Sequence, residues 1–106
     1  MSDVLNPDAL HHEMDRMPEW SGTTEEGISR TFAFDDFAGS IAFVNRVAER
    51  AEQANHHPDL DIRWNEVRVR YITHDAGGVT QDDIAEARHV QDLAPGRDPD
   101  GTDLKE

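Results

Sequence analysis

Seven segments in the order α-β-β-α-β-β-α place this chain in the α+β class, as a two-layer sandwich in which helices lie against a sheet. Two observations carry that reading. Three stretches repeat apolar residues every three or four positions behind a capping residue, and between them lie two pairs of short β-rich runs set off by turn residues. The length of 106 residues leaves room for one core and is too small for two domains or for a Rossmann or barrel enzyme.

The first helix is predicted from Asn6 to Met17. Asn6 is a good N-cap, Pro7 suits the first helical position, Leu10, Met14 and Met17 share one face, and Pro18 ends it. Trp20 to Thr23 and Ile28 to Phe34 form a hairpin around Gly22 and Gly27. Asp35 and Asp36 then cap the longest pattern, in which Phe37, Ile41, Val44, Ala48 and Ala51 recur at helical spacing, widened by Phe43 and Val47. It must stop near His56, because Pro58 cannot continue a helix and drives His57 into an extended conformation. Strands follow at Asp61 to Trp64 and Val67 to His74, turning at Asn65-Glu66; Val67, Val69 and Tyr71 share one face of the second. After Asp75 to Gly78, Thr80 caps a last helix with carboxylates in its first turn and Ile84, Ala87, Arg88 and Leu93 along it. Residues 1–94 therefore read as a single domain. Residues 95–106 hold two prolines, two glycines and four acidic residues with almost nothing apolar, and are expected to be a disordered acidic tail.

Composition excludes several functions. With no cysteine there is no disulfide, no thiolate nucleophile and no cysteine-ligated metal, so His, Asp and Glu must do any chemistry. A net charge of −13, from 10 basic and 23 acidic residues, repels nucleic acid and anionic bilayers, so neither is expected as a direct partner. Nine of the ten basic residues are arginine, a balance that suits a high-salt cytoplasm and equally a merely soluble acidic protein. No secretory, lipidation or membrane-spanning pattern stands out, and a cytoplasmic location is predicted.

The segment that carries chemistry is Glu52-Gln53-Ala54-Asn55-His56-His57-Pro58, with His74 sixteen residues beyond Pro58 and Asp83 nine further on. Imidazole serves as acid or base near neutral pH. Glu52 lies one helical turn before His56, where its carboxylate can orient an imidazole, and the stop at Pro58 lets the two rings diverge around a small planar ligand. Adjacent histidines before a proline are also a common solvated helix end. His11-His12, on a helix with no proline stop, and His89, mid-helix among polar neighbours, are read as solvated faces. His56, His57 and His74 with Glu52 or Asp83 would suffice in number for zinc, but the i, i+4 histidine pair is absent and neighbouring histidines seldom share one ion, so no metal is assigned.

Glu52-x-x-x-His56-His57-Pro58, the aromatic Trp64, and Thr73-His74-x-x-x-Gly78-x-Thr80-x-x-Asp83 together resemble the signature of the pterin-4a-carbinolamine dehydratases, over nearly the whole stretch from Trp20 to Leu93. The resemblance implies a four-stranded antiparallel sheet with helices on one face, in the order already read. It implies a cofactor-free dehydratase that converts a 4a-hydroxytetrahydropterin to quinonoid dihydropterin and water, in tetrahydrobiopterin recycling, and a homodimer or homotetramer with the sheet extended across the interface. Relatives on this fold also act as non-catalytic dimerisation or assembly modules, which is the alternative. His56, His57 and His74 fall at the family's pterin-contacting histidines, Glu52 and Asp83 at its carboxylates, and Trp20 where a tryptophan is common. His57 and His74 are expected at the reacting centre, His56 completing the site, Glu52 and Asp83 setting protonation, with Asn55 and Trp20 among the substrate contacts. Asn55 stands where aspartate is frequent, and Leu60 where an aromatic is.

Overall fold

The computed structural model describes residues 3–94. Its elements are α1 (Pro7–Met14), β1 (Ser21–Thr23), β2 (Gly27–Ala33), α2 (Phe37–Ala54), β3 (Asp59–Arg63), β4 (Glu66–Tyr71) and α3 (Gln81–Leu93), in the expected order α-β-β-α-β-β-α. The four strands form one antiparallel sheet in the spatial order β1-β2-β4-β3.

Inward residues alternate along the central strands. Ile28 and Phe32 of β2 and Val67, Val69 and Tyr71 of β4 are buried against Phe43, Val47 and Ala51 of α2 and Ile84, Ala87 and Val90 of α3. The other face of the sheet carries charge. Arg70 Nη1 lies 2.6 Å from Asp59 Oδ2 across β3 and β4, and Arg63 Nε lies 3.0 Å from Asp61 Oδ1.

Caps set the helix starts. Asn6 Oδ1 accepts from Ala9 N at 2.7 Å, and Asp36 Oδ1 accepts from Gly39 N at 2.8 Å. The end of α2 is Asn55 in the left-handed region, φ 54°, with Asn55 N and His56 N both donating to Ala51 O. That reversal throws His56 and His57 off the helix cylinder before Pro58.

Several boundaries move from their predicted places. Met17 and Trp20 fall in a tight turn after α1, where Met17 N bonds Met14 O and Trp20 N bonds Met17 O, so α1 ends at Met14. The buried stripe of α2 is Ser40, Phe43, Val47 and Ala51, leaving Phe37 exposed at the helix start. Arg63 pairs with Glu66, so the β3–β4 turn is Trp64-Asn65 rather than Asn65-Glu66, with Trp64 at φ 50° and its ring in solvent. The last strand stops at Tyr71, short of His74, because Thr73 leaves the ladder to bridge Gly78. Nor is β4 an edge: it lies between β2 and β3, and its inward residues are fully buried. The expected acidic tail, 95–106, lies outside the described residues. No described helix is long and apolar enough to cross a membrane.

Candidate active site

The end of α2, the turn after β4 and the first turn of α3 meet around Asp83. The 73–78 turn closes through Thr73 N to Gly78 O at 3.0 Å and Gly77 N to Thr73 O at 3.0 Å, with Gly77 at φ 81°. Gly78 is held close to the hairpin, since a Cβ there would stand 2.8 Å from Thr24 O. This packing delivers Thr73, Val79 and Thr80 to the base of the site.

Asp83 has no exposed surface and uses both carboxylate oxygens. Oδ2 accepts from Thr80 N at 2.8 Å and from the Thr73 hydroxyl at 2.7 Å, while Thr80 Oγ1 lies 2.8 Å from Thr73 Oγ1. With the Thr73 proton given to Asp83, the Thr80 hydroxyl donates to Thr73. Oδ1 faces His56 Nε2 at 2.6 Å, the short separation of a charge-assisted bond. The carboxylate therefore holds the proton of His56 on Nε2 and leaves Nδ1 to work as base when neutral and as acid when protonated.

His57 is paired separately. Its Nε2 lies 2.6 Å from Glu52 Oε2, with the two side chains 55% and 78% exposed, so this pair is open to solvent where His56 is 18% exposed. Glu52 thus serves the second histidine of the pair; the left-handed turn at Asn55 carries His56 toward α3 instead. The two imidazoles at this helix end each have a carboxylate at Nε2, which leaves two Nδ1 atoms for other partners.

Tyr71 lies beneath. Its ring stacks on His56 with centroids 5.8 Å apart and planes 6° from parallel. Burial pushes its phenol well above the usual range, with the carboxylates of Glu86 and Asp83 adding to the shift. Glu86 is itself held by Arg50 in a two-pronged pair, Nε to Oε1 and Nη2 to Oε2, both at 2.9 Å.

A family model described as pterin 4 alpha carbinolamine dehydratase matches residues 3–93. The chain belongs to this family. A Thermosynechococcus vestitus protein provisionally named a pterin-4-alpha-carbinolamine dehydratase is 47% identical over 94 residues, covering 89% of this chain and 98% of that one. A Nocardia farcinica protein of the same provisional name is 43% identical over 93 residues, covering 88% and 97%. Among solved structures, a transcriptional coactivator/pterin dehydratase from Brucella melitensis superposes with a TM-score of 0.81 at 31% identity, covering 87% of this chain and 99% of that one. A pterin dehydratase-like RuBisCO assembly factor of the alpha-carboxysome shares the fold at 24% identity and a TM-score of 0.58, covering 71% and 86%.

Of the residues expected at a pterin dehydratase site, the structure joins His56 to Asp83 and His57 to Glu52, with Asn55 forming the turn between. His74 lies exposed in the turn directly after Thr73, and no hydrogen bond or ion pair joins its ring to the other four among the described residues. Trp20 is a core residue: it is 3% exposed, packs on Phe32 and Tyr71, and donates its indole N–H to Gln91 Oε1 at 3.1 Å. Direct substrate contact is therefore not needed to account for it. Among the described residues no three His, Asp or Glu side chains converge in a metal-binding group. Sequence reasoning missed the roles of Thr73 and Tyr71. The signal for Tyr71 was available, since its alternation with Val67 and Val69 turns the chain's one tyrosine inward.

Proposed function

We propose that this chain is a cytoplasmic, cofactor-free hydro-lyase that dehydrates a 4a-hydroxytetrahydropterin to the quinonoid dihydropterin. In this reaction the C–O bond at the carbinolamine carbon breaks and its electron pair leaves with the oxygen, which takes up a proton to become water. A ring nitrogen loses its proton, and that N–H electron pair becomes the new C=N bond. One protonated and one neutral imidazole divide this work, each worth about 10²- to 10⁴-fold.

The observation that carries the reading is the pair of His–carboxylate contacts, one buried and one open, at a single helix end. In this scheme His57 and His74, both exposed, exchange protons with the pterin, His56 completes the contact surface through Nδ1, and Asp83 and Glu52 fix the imidazole protons on Nε2. Asn55 supports substrate binding from the left-handed turn, and Trp20 acts from the core. A homodimer or homotetramer completes the assembly.

A second reading, a non-catalytic assembly module, draws support from the fold shared with the RuBisCO assembly factor. The cap of α3 accounts for Oδ2 of Asp83, whereas a pure scaffold does not require Oδ1 to be committed to an imidazole. The two readings separate in an absorbance assay of quinonoid dihydropterin formation from freshly generated 4a-carbinolamine. The dehydratase accelerates it above the spontaneous rate, and a scaffold leaves that rate unchanged.

A further inference from the structure

Of the site's imidazoles, His56 has its ring restrained in two independent ways. The Asp83 contact at 2.6 Å fixes one edge atom, Nε2, but a single hydrogen bond lets a ring tilt about that atom. The second restraint is Tyr71, whose ring lies parallel to the imidazole. Tyr71 is in turn enclosed: it is fully buried in the central strand β4, and Trp20 packs on it with centroids 6.4 Å apart. Trp20 is held by its hydrogen bond to Gln91 and by an edge-on contact with Phe32 at 6.1 Å. The result is an aromatic column, Phe32, Trp20, Tyr71 and His56, running from the hairpin to the site.

The Tyr71 hydroxyl takes no part in this. It is buried without a hydrogen-bond partner among the described residues, so what Tyr71 offers His56 is its ring, parallel to the imidazole and offset from it. We infer that Tyr71 is a positioning residue of the dehydratase site, setting the plane of the His56 ring so that Nδ1 points at the bound pterin, and that Trp20 acts on the reaction only through Tyr71. The inference rests on the dehydratase reading. A planar neighbour matters because His56 orients the bound pterin against the proton-exchanging groups, and small misplacements of that kind cost up to about 10²-fold in rate.

Tyr71→Leu removes the planar face, and Tyr71→Phe keeps it while deleting the unpaired hydroxyl. The expected result is a fall in kcat of about tenfold or more for Tyr71→Leu with KM within about threefold of the parent, and recovery to within about threefold in Tyr71→Phe. Should the leucine variant fail to fold, Tyr71→Met fills similar volume without a plane and takes its place. The direct readout is NMR of the histidine rings. Losing the Tyr71 ring current moves the His56 Hε1 and Hδ2 resonances and leaves those of His11 and His89 in place. An unchanged kcat in the variant without the ring, unmoved His56 resonances, or an equal loss in Tyr71→Phe each overturns the assignment. If the parent shows no dehydratase activity, the functional reading fails, while the resonances still decide whether Tyr71 positions His56.

Discussion

His56 Nε2 and Asp83 Oδ1 lie 2.6 Å apart although 27 residues separate them in sequence, and the aspartate is wholly buried. Asp83 thereby does two jobs: it closes the first turn of α3 through Thr80 N and it dictates which nitrogen of His56 carries the proton.

The two jobs come apart on substitution. In Asp83→Asn the amide oxygen can still accept from Thr80 N and Thr73, while the amide NH₂ then faces His56 and donates to Nε2, forcing the proton to Nδ1. Activity should fall by about 10- to 100-fold with little loss of fold. Asp83→Ala takes the acceptor from three donors, Thr80 N, the Thr73 hydroxyl and His56 Nε2, and should cost about 1–3 kcal/mol as well. Thermal melts beside turnover measurements check this, and equal stability of the two variants would contradict it.

How much of this was legible in the sequence depends on whether the signal was local. The caps at Asn6 and Asp36 and the stop before Pro58 were readable because each rests on neighbours a few residues away. The β3–β4 turn was displaced by one residue because Trp64 adopts a left-handed conformation that tryptophan rarely takes, so no turn residue announced it. The Glu52 partner was misjudged for a related reason: helical spacing pointed at the first histidine, but Asn55 ends the helix before the ring is placed. His56 and Asp83, joined by tertiary packing alone, could be linked only through the family motif. Periodicity also centred the buried stripe of α2 too far toward Phe37, since Phe37–Ile41–Val44 and Ser40–Phe43–Val47 both combine spacings of three and four and only the packing partner distinguishes them.

Alkaline titration isolates Tyr71. Its phenol is favoured in the neutral form by folding, so the stabilisation is complete below the ordinary value near 10 and is lost as pH rises past it, because the unfolded chain releases the proton first. The chain has one tyrosine, one lysine and no cysteine, so few other side chains titrate there. Tyrosinate absorbance should appear together with unfolding, and Tyr71→Phe should flatten the alkaline decline in stability. Tyrosinate forming in a still-folded protein would show that the ring is not sealed in.

Association should depend on salt. The edges free to pair with another subunit are β1 and β3, and a charge of −13 per chain opposes pairing most when the Debye length is long, about 30 Å at 0.01 M. Light scattering coupled to size exclusion is expected to give a dimer or tetramer at moderate to high salt, with dissociation as salt is withdrawn. A monomer mass at every ionic strength, with full activity, would sink the idea.

Among the described residues the buried core runs from Leu10 to Val90, with Leu5, Leu93 and Ala94 packed against it. Truncation after Ala94 should therefore leave the melting temperature and turnover near those of the full chain, and loss of folding would show that residues 95–106 contribute to the domain.

The most direct test of the account is the catalysed rate of 4a-carbinolamine dehydration in the parent, in His57→Ala, in His74→Ala and in the exposed control His11→Ala. The parent rate is expected well above the spontaneous one, with a loss of at least about tenfold in each of the first two variants at unchanged circular dichroism, and no loss in His11→Ala. A parent no faster than the uncatalysed reaction, or an equal loss in all three variants, would contradict it.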